Sequence, residues 1–334
     1  MAKNKATMVV DATNLYKIVF EGVKSYALQK QNVHAVWGFL KKLRGVLNEN
    51  LNNHTYQINR TILFWDGPDS GRLREDIYPN YKEKRKRFFN GIDPYYQQQY
   101  VVQDLLRLLG IESYTHHFVE TDDMIAEYVR QNKEKENILI LSNDNDYFQL
   151  VDKTVYIYYL NRIQTLNHVY PKNVLINSEN FDYYFDYNPK NILLRKIIIG
   201  DESDSIIGAK GFSEKSFLNE IPMFIKKPHS REELLQYCYE RKKIRTGKRL
   251  QILIDFLQDD EKFTLVETLI DLKSDRFITE DCRQDIIALK PLPINLKQFF
   301  TEIKGGPIFR QIVTDPDFDG DVKNFTAPFL YTNK

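Results

Sequence analysis

The chain has 334 residues, room for two compact units, because single hydrophobic cores stop growing near ~250–300 residues. A charged fraction of 28% and a hydrophobic fraction of 42% exclude a disordered chain, and no apolar run reaches a transmembrane length. The net charge of +1 excludes a uniformly basic nucleic-acid binder, yet it averages unlike regions: Arg72 to Arg87 holds seven Lys/Arg against three Asp/Glu, and Lys226 to Arg249 nine against three.

The N-terminus MAKNKATMVV has no apolar run of signal-peptide length, and Cys238 and Cys282 form no metal or redox spacing. A cytoplasmic, reducing location is expected, the host cytoplasm for a viral chain. Thr7 to Val10 and Thr61 to Trp65 are short apolar runs that end in Asp11 and Asp66, the pattern of buried strands with a carboxylate at the tip. Between them Val33, Val36, Trp37, Leu40, Leu43 and Leu47 keep the three-four spacing of an amphipathic helix, so strand, helix and strand predict a parallel sheet. Gln97 to Leu109 and Thr121 to Gln131 read as further helices. Asn137 to Leu141 is a third strand, followed by Ser142, Asp144 and Asp146; Val155 to Leu160 is a fourth, with Thr165 to Val169 a candidate partner across the Asn161-Arg162 turn. After Pro189 the pattern is helical, with helices predicted over 192–199, 231–243, 250–257 and 263–273 and no comparable strand. The stretch holding Pro291, Pro293, Pro307, Pro316 and Pro328 reads as irregular. The domains to expect are an α/β unit over 1–200, a helical lobe over 201–290 and an irregular extension over 291–334.

Asp11, Asp66, Glu120, Asp122, Asp123, Asp144, Asp146, Asp201 and Asp204 each fall at a predicted strand tip or helix edge. A lone carboxylate there most often caps the next helix. Capping does not predict four such clusters, and in open α/β sheets ligands sit beyond the carboxyl ends of the strands. Oxygen-only donors select Mg²⁺ or Mn²⁺ over zinc, and no His or Cys cluster competes. The reading is a site for two divalent ions, about 3.5–4 Å apart in such centres, that hydrolyse a phosphodiester by in-line attack.

The blocks VVDATNL, LFWDG, YPNYKEKR, VETDDMIAEY, LILSNDNDYFQL and GDESDSIIGAKG, in that order between Met8 and Phe217, resemble the signatures of the flap endonuclease and 5′-to-3′ exonuclease family, its small bacteriophage members and their RNase H enzymes in particular. The resemblance implies a PIN-like α/β fold with a mostly parallel central sheet, a helical arch over about 68–110 and a smaller C-terminal helical lobe. It implies a structure-specific 5′ nuclease acting on duplex or branched DNA and RNA-DNA hybrids, with removal of RNA primers in replication. Asp11, Asp66, Glu120, Asp122, Asp123 and Asp144 carry over as ligands of a first metal, and Asp146, Asp201 and Asp204 of a second. Lys82 and Arg85 match the catalytic basic pair of the family's YKxxR motif, and Tyr81 a residue that stacks on a base. Arg87 in the first basic patch, and Lys242, Lys243, Arg245, Lys248 and Arg249 in the second, are candidate phosphate contacts, as are Gly208, Lys210 and Gly211 in the glycine turn. There the family carries a third glycine and this chain has Ser213, a departure at the place where relatives approach duplex and hold a monovalent cation. Asp11-Ala12 stands where the family usually has Asp-Gly.

Other readings are weaker. A phosphatase of the Asp-x-Asp type fails because Pro68 stands where the second Asp is needed, and a calcium loop at Asp315 to Gly320 fails because its twelfth position is Thr326. A catalytically silent, branched-DNA-binding member of the same fold is the alternative function, although every matched carboxylate is present. Pro293 to Phe300 resembles a sliding-clamp-binding octet but reads better as a buried helix end. Single-strand binding protein and the sliding clamp are the protein partners to expect of a monomeric replication nuclease, and the tail from Asp315 to Lys334 could dock on its own core.

Overall fold

The computed structural model describes residues 4–23, 29, 32–53, 56–85, 93–163, 169–185, 187–222, 227–244, 247–304, 306, 308, 310–311 and 322–331. Among them are nine strands: β1 (Asn4–Asp11), β2 (Tyr56–Asp66), β3 (Glu112–His116), β4 (Asn137–Leu141), β5 (Val155–Tyr159), β6 (Val174–Ile176), β7 (Gly200–Asp201), β8 (Ile206–Ile207) and β9 (Ile287–Leu289). The chain forms two compact units, one of Met1–Ser70, Phe88–Asp144 and Glu280–Lys334, the other of Gly71–Arg87 and Asn145–Thr279. No helix among the described residues is long and apolar enough to cross a membrane.

In the first unit the strands run β4-β1-β2-β3-β9. β1 pairs in parallel with β2 and β4, and β2 with β3, which makes the expected mostly parallel, PIN-like sheet. A parallel strand is covered on both faces, and the sequence obeys: Met8, Val9, Val10, Ile62, Leu63 and Trp65 are fully buried in succession rather than in alternation. The helix His34–Asn53 turns Val36, Phe39, Leu40, Leu43 and Leu47 inward at three-four spacing, and the Phe39 ring stacks on Trp65 at 5.4 Å. Registers Asp11↔Phe64, Asp66↔His116 and Val10↔Leu141 bring the carboxyl ends of β1, β2, β3 and β4 to one edge of the sheet.

The C-terminal part of this unit is more regular than its prolines suggest. β9 pairs antiparallel with β3 through Ser113↔Leu289 and Thr115↔Ile287. The helix Leu296–Ile303, capped by Asn295, buries Phe299 completely, so the clamp-like octet turns its aromatic inward as the helix-end reading has it. The helix Val322–Tyr331 contains Pro328 and still forms, because Phe325 and Phe329 are buried; the Phe325 ring stacks on Trp37 at 6.0 Å and its carbonyl accepts from Arg44 Nε at 3.1 Å. Docking of that helix on its own core outweighs the hydrogen bond a proline removes. The acidic turn at 315–320 lies outside the described residues.

Glu127, on the helix Thr121–Asn132, ties this returning segment down. Its carboxylate is almost fully buried; it pairs with Arg130 and accepts from Arg283 Nε at 2.7 Å and Gln131 Nε2 at 2.6 Å. Breaking a buried pair strands charge in a poor solvent, so Glu127→Ala is expected to cost on the order of 3 kcal/mol, read as a lowered urea midpoint. A loss under about 0.5 kcal/mol would mean that Arg130 and Arg283 are solvated without it.

In the second unit the helices Ile192–Ile199, Glu214–Glu220, Arg231–Ile244, Lys248–Gln258 and Asp260–Ile270 surround one core that includes Ile197, Ile198, Phe217, Leu253 and Leu269. Because Ile197 and Ile198 pack there, the helix ending at Ile199 belongs to this unit and the chain does not divide at residue 200. β5 pairs antiparallel with β6; the candidate strand over 165–169 lies outside the described residues except for Val169. The range 68–110, expected to form an arch, is divided between the two units. The helix Pro94–Leu108 buries Val102, Leu105, Leu106 and Leu108 in the first unit, and Arg72–Ile77 belongs to the second. Residues 86–92 lie outside the described ones.

Candidate metal centre and nucleic-acid interface

The strand-end carboxylates of the first unit are held by two sets of hydrogen bonds, one around Asp11 and one around Asp66. Asp11 ends β1 and caps the helix Ala12–Gly22: its Oδ1 accepts from Asn14 N at 2.9 Å, and its Oδ2 from Ser142 Oγ at 3.0 Å. Ser142 Oγ in turn accepts from Asp144 N at 3.0 Å. Asp66 ends β2, and its Oδ1 accepts both the amide and the hydroxyl of Thr121 at 2.8 Å. Thr13 Oγ1 accepts from Asp66 N at 2.7 Å and lies 3.3 Å from Thr121 Oγ1. Capping of the following helix is therefore real for one oxygen of Asp11, while Asp66 accepts from the first residue of the helix Thr121–Asn132.

Glu120 takes the N-cap position of the helix Thr121–Asn132 without using its carboxylate as a cap. Carboxylate oxygens of Glu120, Asp122 and Asp123 lie within 4.8 Å of one another, with Glu120 and Asp123 buried. Three anions this close repel strongly at low dielectric. Carboxylate oxygens alone fit a hard divalent cation, and the helix N-terminus adds only partial positive charge.

His116, which the sequence reading missed, supports the candidate site from the turn before it. Its Nδ1 accepts from Phe118 N at 3.0 Å and Val119 N at 2.8 Å, which fixes the turn that delivers Glu120. Burial holds its pKa below the ordinary histidine value, with Asp285 acting the other way and His117 adding to the depression. A depressed histidine contributes stability that is complete above the unfolded value near 6.5 and is lost as pH falls through the folded value. His116→Asn keeps an acceptor and removes the titration, so its melting temperature is expected to fall less than that of wild type between pH 6.5 and 5. Parallel melting curves across that range would show that His116 does not titrate there.

In the second unit Asp146 and Asp201 face a lysine that the sequence reading also passed over. Lys196 Nζ pairs with Asp146 Oδ1 and lies 3.3 Å from Asp201 Oδ2. Asp201 Oδ1 also accepts from Ser203 N at 2.9 Å, Ser203 Oγ at 2.6 Å and Asp204 N at 3.3 Å. Burial works to raise the Asp201 carboxyl, yet the Lys196 charge and these hydrogen bonds hold it below the ordinary carboxylate value. Asp204 Oδ2 accepts from Tyr81 Oη at 3.4 Å, and its carbonyl from Lys82 N at 2.9 Å.

Tyr81 is only 2% exposed and belongs to the unit's core, so its ring is not a surface on which a base stacks; the aromatic packs inward because its hydroxyl has a partner there. The glycine turn divides its work as well. A Cβ on Gly208 would lie 2.4 Å from the Ile198 carbonyl, so that glycine serves close packing on the helix Ile192–Ile199 rather than approach to DNA. Gly211, at φ +83°, is open, and Lys210 is exposed. Ser213 caps the helix Glu214–Glu220, which accounts for a side chain where relatives have a glycine. Lys242, Lys243, Lys248 and Arg249 are exposed where the helices Arg231–Ile244 and Lys248–Gln258 approach each other in sequence. The side chain of Arg85, and Arg87 and Arg245 altogether, lie outside the described residues.

The model of the 5′-3′ exonuclease N-terminal resolvase-like domain matches residues 6–179, slightly more than half the chain. The chain belongs to the 5′-3′ exonuclease family. Among the family's curated proteins, the 5′-3′ exonuclease of Mycoplasmopsis pulmonis is 31% identical over 156 residues, 47% of this chain and 48% of that one. The 5′-3′ exonuclease of Buchnera aphidicola from Schizaphis graminum is 26% identical over 218 residues, 65% and 69% of the two chains. The aligned part thus spans about half the first relative and about two thirds of the second. In fold, the chain is similar to the flap endonuclease of bacteriophage T5, solved with DNA and metal ions: TM-score 0.59, 18% identity, 89% of this chain and 97% of that one. It is similar to the catalytic core of Rad2 in complex with DNA substrate, at TM-score 0.53 and 18% identity over 98% of this chain and 92% of that one. Within this 5′-3′ exonuclease fold, Asp11 and Asp66 stand at the ends of adjacent parallel strands.

Proposed function

We propose that the protein is a divalent-metal-dependent, structure-specific 5′ nuclease that hydrolyses phosphodiesters at 5′ ends of duplex or branched DNA and RNA-DNA hybrids, removing flaps and RNA primers. The observations that carry the reading are the bonds joining Asp11 to Asp144 through Ser142, and those joining Asp66 to Thr121 beside the triad Glu120, Asp122 and Asp123, at the carboxyl ends of parallel strands. The first unit supplies one ligand set and the second, through Asp146, Asp201 and Asp204, another. Mg²⁺ is the ion proposed for both, with Mn²⁺ able to substitute; bound there, such ions supply a hydroxide nucleophile and a Lewis acid. Lys82 neutralises charge that develops on the non-bridging oxygens, and Lys196 keeps Asp146 and Asp201 together. No side-chain nucleophile is required. Names of relatives support the substrate class: relatives are called 5′-3′ exonucleases, and neighbours of similar fold were solved with DNA and with metal ions.

The test is product sizing on 5′-labelled flap, nicked and blunt duplexes, with a 3′-labelled twin of each, in Mg²⁺ and in chelator. Metal-dependent cutting near the 5′ end supports the reading; binding without cutting under every metal condition would leave a branched-DNA-binding protein instead. The helical lobe, residues 201–290 in the sequence reading, is proposed to hold duplex through its exposed cations. Lys248→Gln combined with Arg249→Gln is expected to weaken duplex binding and to flatten the slope of log affinity against log salt by about 0.9 for each phosphate left without its cation. Unchanged slopes would take these two residues out of the interface.

A further inference from the structure

We infer that Arg74 is a positioning residue of this nuclease, acting through Tyr81 to fix the Asp204 carboxylate and the Lys82 backbone as one piece; the inference rests on the metal-dependent reading above. Arg74 lies on the short helix Arg72–Ile77 and is 2% exposed. Its guanidinium sits 4.3 Å from the Phe277 ring and 5.9 Å from the Tyr81 ring, and its Nε donates to the Leu269 carbonyl at 3.0 Å. A buried guanidinium costs heavily unless its surroundings meet the charge, and ring faces and a carbonyl oxygen do so in a fixed geometry. The helix Asp260–Ile270, which carries Leu269, thereby anchors the segment from Arg74 to Lys82.

That segment grips the turn holding Asp204 at three points. Tyr78 Oη donates to the Ser205 carbonyl at 3.2 Å, Tyr81 Oη to Asp204 Oδ2 at 3.4 Å, and Lys82 N to the Asp204 carbonyl at 2.9 Å. The grip joins two strained residues. Lys82 at φ +50° and Ser205 at φ +62° are both left-handed, although neither is glycine. Such conformations persist only where the surroundings over-determine them. The brace supplies that excess of constraint, and it links a carboxylate for the cation to the backbone of the lysine proposed to act on the phosphate. A hydroxyl that orients a ligating carboxylate belongs to the outer shell of a metal site, where substitutions cost about ten- to a hundredfold in metal affinity.

Mn²⁺ binding to the full chain without DNA, followed by electron paramagnetic resonance, reads this directly. Tyr81→Phe keeps the ring against Arg74 and removes only the hydroxyl. It is expected to weaken one of the two bound ions about tenfold, leave the other unchanged, and keep the melting temperature of wild type. Arg74→Met, which keeps side-chain length and loses the charge and the Leu269 bond, is expected to weaken the same ion and to lower kcat more than KM on a flap duplex. Tyr81→Phe isotherms that superimpose on wild type overturn the inference, as does equal weakening of both ions together with a lowered melting temperature. Absence of any bound Mn²⁺ in wild type would instead overturn the metal-dependent reading itself.

Discussion

Asp144→Asn is expected to slow phosphodiester cleavage on the order of a thousandfold while duplex binding stays near wild type. The side chain is exposed, so an isosteric amide costs the fold little. The backbone is held independently, because Asp144 N donates to Ser142 Oγ and that hydroxyl donates to Asp11. What the substitution removes is one negative charge from the proposed oxygen-only ligand set, and several kcal/mol of transition-state stabilisation would depend on the cation proposed there. Single-turnover cleavage of a flap duplex over a range of Mg²⁺ concentrations, beside fluorescence anisotropy in Ca²⁺, separates the two quantities. Partial recovery at high Mg²⁺ is part of the expectation. A rate within tenfold of wild type would remove Asp144 from the centre.

Lys82→Ala is expected to lower turnover about a hundred- to a thousandfold and to leave KM within a few-fold of wild type, as for loss of a preorganised charge that acts in the transition state. The left-handed backbone of Lys82 makes this a clean experiment. Alanine is strained there as lysine is, and the hydrogen bond that Lys82 N donates to the Asp204 carbonyl does not involve the side chain. The loss in rate is then the loss of the ammonium. Lys82→Gly adds a control with the opposite structural effect: glycine relieves about 1 kcal/mol of strain, so this variant should melt higher than Lys82→Ala and be equally slow. A Lys82→Ala enzyme with normal kcat and a raised KM would make the residue a binding contact instead.

Much of the candidate site is legible in the sequence, for a physical reason. Buried parallel strands are unbroken apolar runs, so a charged residue at their end stands out, as Asp11 and Asp66 do. The helix Thr121–Asn132 starts at a triad of acids that is also a fair capping signal, yet Glu120 in the cap position makes no cap bond with its carboxylate. What escaped was set by partners distant in sequence. β9 is three largely exposed residues whose strand character comes only from β3. β3 itself, ESYTH, has no apolar run to mark it. Lys196 reads in the sequence as one member of an apolar helix, and only the fold brings Asp146 and Asp201 to its tip. Tyr81 illustrates the opposite error: its motif implies a base-stacking ring, and burial against Arg74 denies it that role. His116 gave no signal, since its task is to accept two amides of a turn.

The antiparallel pairing of β9 with β3 also bears on how the protein comes into being. The first unit is assembled from three stretches of chain, and the last begins at Glu280. During synthesis β1 to β4 leave the ribosome long before Ile287 to Leu289 do, so for that interval β3 presents an uncovered edge on which another nascent chain can template. The scaffold is therefore completed late, by a segment remote in sequence from every proposed ligand, and the time from β3 to β9 is the window in which a chaperone would matter most to its yield.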